Sequence, residues 1–141
     1  DRSTPRSAPG AGYAAPGMLE RHYAPDVPMW VCIGPATAAQ DWLRDQITRL
    51  AHDGQRIGLL LCDDDADLLA DVIERAAAVV VRLGPVHDLP RIARRLYDAL
   101  RHLDSRAPDI ILARDFGTVG LALALRDRLS RAASGNIFYV D

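Results

Sequence analysis

The chain has 141 residues, 49% of them hydrophobic and 26% charged, with a formal net charge of −2. That supports one domain with a sizeable core and gives no global field that would draw in nucleic acid. Apolar runs such as 57–62 and 76–81 are far shorter than the roughly 20 residues that cross a bilayer. No secretory signal is visible, so the expected compartment is the cytoplasm. The first residue is Asp1 rather than Met, as in a piece of a longer protein. All 17 cationic residues are Arg, so a single Arg is weak evidence for a phosphate site. Cys32 and Cys62 end apolar runs and read as buried free thiols. No C-x-x-C or H-x-x-x-H spacing exists, so no metal site is expected.

Residues 1–28 are rich in proline and glycine and lack aliphatic periodicity, which marks an extended linker. From residue 29 to 141 the pattern becomes that of an α/β domain. Met29–Ile33 reads as a strand closed by Gly34-Pro35. Thr37 can cap a helix to about His52, with Leu43, Ile47, Leu50 and Ala51 on one face and Gly54 as its stop. Arg56–Cys62 is a strand covered on both faces. Asp65 can cap a helix to about Arg75, and Val79–Leu83 is a third strand. Asp88 caps a long helix to about Leu103, with Leu89, Ile92, Ala93, Leu96, Ala99, Leu100 and Leu103 at helical spacing. Asp109–Ala113 is a fourth strand, about Val119–Ala133 a last helix, and Ile137–Val140 an edge strand. Alternation without hairpins predicts a Rossmann-like three-layer sandwich with a mostly parallel sheet.

Ligands of such sheets bind beyond the carboxyl ends of the strands. Those loops contain neither G-x-G-x-x-G nor a P-loop. Asp63, Asp64 and Asp65 form a triplet that suits either a hard cation or a solvated helix start. His87 beside Asp88 reads either as an acid–base pair or as a loop residue before a cap. Gly117 and Gly120 flank a helix start where backbone N–H groups can hold an anion, or where close packing needs glycine. Asp63, Asp64, Gly117 and Gly120 are therefore the candidate ligand residues at the strand ends. Arg91, Arg94, Arg95 and Arg101 on the long helix, and Arg126, Arg128 and Arg131 on the last, read as solvated faces rather than RNA contacts. The domain body shows no complete catalytic constellation.

The densest stretch is Ala15–Pro25, which sets Arg21, His22 and Tyr23 between proline-bounded turns. Filler linkers carry no such chemistry. Pro16-Gly17-Met18 and Arg21-His22-Tyr23-Ala24-Pro25 resemble the linker of two-domain threonylcarbamoyl-AMP synthases, with Leu19-Glu20 where that family has Lys and Tyr. Collinear likenesses follow at 95–104, at 109–113 and at 120–129, although Thr118 stands where a first glycine is usual.

The resemblance implies a Rossmann-like C-terminal domain whose linker joins it to a catalytic YrdC-like domain. It also implies that the whole enzyme condenses L-threonine, bicarbonate and ATP into threonylcarbamoyl-AMP and pyrophosphate, for N6-threonylcarbamoyladenosine formation on tRNA. ATP with Mg, threonine and bicarbonate would sit in the YrdC-like domain. These 141 residues would then hold no cofactor, contact no nucleic acid directly and carry no catalytic residue. Their part would be an accessory domain and a lid, with Gly17 as hinge and Arg21, His22 and Tyr23 as contacts. In the competing reading, His22 and Tyr23 only pin the linker to its own domain. Two other functions remain open: an independent nucleotide- or small-ligand-binding module, and a purely structural domain exposing apolar surface around Trp30 or Trp42.

Overall fold

In a computed structural model, the structure describes residues 23–141. The residues Gly17, Arg21 and His22 lie outside them. Five strands and five helices alternate among the described residues: β1 (Met29–Ile33), α1 (Ala36–His52), β2 (Ile57–Leu61), α2 (Asp63–Leu68), α3 (Ala70–Ala76), β3 (Val79–Arg82), α4 (Leu89–Ser105), β4 (Ile110–Arg114), α5 (Leu121–Ala132) and β5 (Ile137–Tyr139). The strands form one sheet in the order β3-β2-β4-β1-β5. Every pairing is parallel.

The chain steps from β1 to β2 to β3 through α1, α2 and α3, which share a core cluster on one face. It steps back from β3 to β4 to β5 through α4 and α5, which share the cluster on the other face. Opposite steps over opposite faces give all four crossovers one hand, as twisted parallel sheets require. The central strands β2 and β4 are buried at every residue, which is why they read as unbroken apolar runs. On α4, Ile92, Leu96, Ala99, Leu100 and Leu103 are buried, matching the helical spacing. Asp88 accepts from the Arg91 backbone N–H and caps that helix.

Two expected caps are corrected. Thr37 is exposed, and α1 starts one residue before it behind Pro35, with no side-chain cap. Proline's fixed φ serves a helix start without a hydroxyl acceptor. Asp65 caps nothing either. It is the third residue of α2 and fully buried, because its carboxylate has a charged partner across the sheet. The single helix expected there is two, interrupted at buried Leu69, where φ is −97° and ψ is 10°. The last helix begins at Leu121 rather than Val119, behind Gly120 at φ 59°.

Residues 23–28, ahead of β1, are tied down. The Tyr23 hydroxyl donates to Asp104 Oδ2 at 3.0 Å, and the backbone N–H groups of Asp26 and Val27 donate to the same carboxylate at 3.2 and 3.1 Å. Burial first, and then the Asp104 carboxylate, raise the Tyr23 pKa above its ordinary value, so the phenol remains a donor. Asp104 lies near the end of α4, beside the start of β1. This segment therefore meets the sheet at its amino edge.

Trp30 and Trp42 are half-buried rather than open. Phe138 of β5 covers both, with ring centroids 5.1 and 5.4 Å away.

Candidate functional site

The opposite, carboxyl edge carries the chemistry. Because β4 lies between β2 and β1, its last residue, Arg114, emerges between the ends of those two strands. The neighbours β1 and β4 send their chains to opposite faces, which puts the switch point of the sheet here.

A buried charge network fills that point. Arg114 Nε lies 2.5 Å from Asp65 Oδ2, and one terminal nitrogen donates to Asp65 Oδ1 at 3.1 Å. Asp65 also accepts from Gln40 Nε2 at 2.9 Å. The other Arg114 terminal nitrogen donates to the Asp115 carbonyl at 2.9 Å. The guanidinium stands 5.5 Å from the centre of the Phe116 ring. Asp115, 1% exposed, accepts from the Gly34 N–H at 3.3 Å and from Arg126 at 3.4 Å. The network contains two carboxylates and two guanidiniums, so it is neutral as a whole. Burial pushes the Arg114 pKa down, but the hydrogen bond and charge of Asp65 reverse this and leave it above the ordinary arginine value.

Next to the network is a cleft of about 380 Å³, lined by Gly34, Pro35, Arg114, Asp115, Phe116, Gly117 and Arg126 among others. Of the expected ligand residues, only Gly117 lines it. Gly120 is exposed at the α5 start, beside a different depression formed by Leu123, Ala124 and Ser130. The acidic triplet diverges. Asp63 faces Arg82 at 3.7 Å, Asp64 accepts from the Val86 N–H at 2.8 Å, and Asp65 turns inward. The Val86 hydrogen bond is the main reason that the Asp64 carboxyl lies below its ordinary pKa. No group of three or more His, Cys, Asp or Glu side chains converges among the described residues. His87 is exposed, and Asp88 is used as the α4 cap.

Arg126 corrects the solvated reading of the last helix, because it bends inward to Asp115. In the sequence, Arg114 and Asp115 belong to the strand-end loop Arg114-Asp115-Phe116-Gly117 but carry no role of their own. An arginine in a strand end followed by an aspartate was the one available signal, and the arginine-rich composition masked it.

Cys32 and Cys62 are buried and free, at the ends of the strands flanking Arg114. Burial first, and then Asp115 and Asp65 respectively, push both thiols from 9.0 to about 11. The folded state therefore holds these protons more tightly than the unfolded chain does. The associated stability is complete below pH 9.0 and is lost as pH rises through about 11. A disulfide-exchange reagent at pH 8 should label neither thiol in the native protein and both in denaturant. Rapid native labelling would contradict the burial.

A family model described as threonylcarbamoyl-AMP synthase, C-terminal domain, matches residues 3–134. The chain belongs to this family. A threonylcarbamoyl-AMP synthase of Bacillus subtilis is 32% identical over 123 residues, covering 87% of this chain and 33% of that protein. The crystal structure of Pyrococcus abyssi Sua5 complexed with L-threonine aligns at a TM-score of 0.69 and 31% identity, over 95% of this chain and 34% of that one. The C-terminal Sua5 domain from Pyrococcus horikoshii aligns at 0.60 and 24% identity, over 83% of this chain and 100% of that one. The chain spans about a third of the length of the curated synthases it matches. No helix among the described residues is long and apolar enough to cross a membrane.

Proposed function

We propose that this chain is the C-terminal accessory domain and active-site lid of an L-threonylcarbamoyladenylate synthase. The reaction joins L-threonine, bicarbonate and ATP into threonylcarbamoyl-AMP and pyrophosphate, in tRNA N6-threonylcarbamoyladenosine modification. ATP with its Mg, threonine and bicarbonate are held by the YrdC-like catalytic domain. The observation that supports the lid is the Asp104 clamp, which accepts from Tyr23, Asp26 and Val27. It fixes the point from which the segment bearing Gly17, Arg21 and His22 departs. A lid held at one end closes over a site with less conformational entropy to lose, and it protects a labile mixed anhydride from water. In this arrangement Tyr23 serves as the anchor, and Arg21 and His22 are left to reach the substrates.

In the intact synthase, Asp104→Ala should lower threonine-dependent pyrophosphate release by at least about tenfold, the scale on which small misplacements act. The domain should remain folded by circular dichroism, and trypsin should cleave faster after Arg21. A linker freed in this way with an unchanged rate would refute the lid. The cleft at the sheet's switch point favours a second reading, an independent module for a nucleotide or small acid. That reading requires saturable binding of ATP, AMP or threonine by this chain alone, and loss of that binding on Arg126→Ala.

A further inference from the structure

A depression of about 620 Å³ lies in neither of these places. It runs along the outer edge of β3, between Val80, Val81 and Arg82 of the strand and Arg94, Arg95 and His102 of α4. β3 is the last strand on its side of the sheet, and no described residue pairs with its outer edge. Its three valines are half-buried. The four-residue strand is about 13 Å long, and Arg95 to His102 rises about 10 Å along α4. The groove is therefore the length of a short extended segment.

Its charges are not balanced internally. Arg82 is held by Asp67 and Asp63, and Asp98 by Arg101. Arg94 and Arg95 are exposed and have no ion-pair partner among the described residues. Two free guanidiniums beside an open row of backbone donors and acceptors define a ligand with two properties. It is acidic, and it carries a peptide backbone. Nucleic acid fits less well, since no aromatic side chain lines the groove to stack a base. The chain's own residues 1–22 fit poorly too. They carry Arg2, Arg6 and Arg21 against Asp1 and Glu20, and Pro5, Pro9 and Pro16 interrupt any strand.

We infer that the β3–α4 groove binds an extended acidic peptide segment of a partner protein as an added strand beside β3. Backbone pairing supplies the affinity, and Arg94 and Arg95 select for acidic side chains. The site is separate from the linker clamp and from the strand-end cleft, and does not depend on the lid.

The test is fluorescence anisotropy with a labelled octapeptide of alternating glutamate and valine, at about 0.15 M salt. The expected result is saturable binding, weakened at least tenfold by Arg94→Glu with Arg95→Glu, and at least tenfold by N-methylating alternate peptide bonds. The milder Arg94→Gln should weaken it less, and circular dichroism reports that each variant folds. Equal binding of the methylated peptide would overturn strand addition. So would no saturation by about 1 mM, or displacement by an oligouridylate of equal charge.

Discussion

Arg114→Ala should lower the unfolding free energy by about 3–5 kcal/mol, because it leaves the Asp65 carboxylate buried without its partner. Asp65 is 0% exposed and the Arg114 residue 5%, so the native pair is shielded from water. Gln40 remains as a side-chain donor to Asp65. The loss should appear as a shifted urea midpoint with an unchanged slope. Asp65→Asn should lose less, since the amide oxygen still accepts from Arg114 and the guanidinium keeps its bond to the Asp115 carbonyl and the charge of Asp115 nearby. An apolar exchange of both, Asp65→Leu with Arg114→Met, should recover much of the stability, as buried pairs are often no better than well-packed apolar groups. A loss below about 1 kcal/mol for Arg114→Ala would mean that the pair behaves like a surface contact, and that the carboxyl edge is more open than its burial indicates.

Gly34→Ala should be nearly as damaging, by a different route. A Cβ on residue 34 would sit 2.3 Å from the Val140 carbonyl oxygen and 2.6 Å from a Val140 methyl. The backbone there, at φ +155°, is one that side-chain-bearing residues rarely adopt. Relief requires the chain after β5 to move away. That breaks the Val140 N–H bond to the Ile33 carbonyl, now 2.9 Å, and strains the β1–β5 pairing. The expected cost is about 3 kcal/mol or more, with hydrogen exchange accelerated first at Val140 and along β5. Gly54→Ala is the control, because nothing lies within 4 Å of a Cβ there and only its φ of +79° opposes the change. If both variants cost the same, the close approach of Val140 does not govern residue 34.

The strands were legible because parallel strands buried on both faces leave unbroken apolar runs, and turns at Gly34, Gly54 and Gly84 punctuate them. The α4 face was legible for the matching reason, a helical repeat of leucines and alanines. What could not be read were pairings across long stretches of chain. The strand order follows from which runs meet in space, and nothing local in Met29–Ile33 indicates that its neighbours are 110–114 and 137–139. The same distance hid the site. Asp65 and Arg114 are 49 positions apart, so the immediate context of neither points to the other. An aspartate at a helix start resembles a cap, and one arginine among 17 resembles surface. Asp104 belongs locally to a helix motif, while its use lies in three donors 77 to 81 residues upstream.

The place of β1 also bears on how the molecule is made. Among the described residues it is the first strand to leave the ribosome, yet its strand partners are β4 and β5, the last two of them. Until residue 110 emerges, β1 and its tryptophan have no sheet to join. The sheet can grow only from β2 and β3 while β1 waits as an unpaired apolar segment. Folding of this domain is therefore bound to be late rather than progressive, with most of the chain exposed to chaperones before the centre of the sheet closes. A nascent chain cut short before residue 138 would leave Trp30 and Trp42 without their Phe138 cover, an apolar surface that protein quality control can recognise.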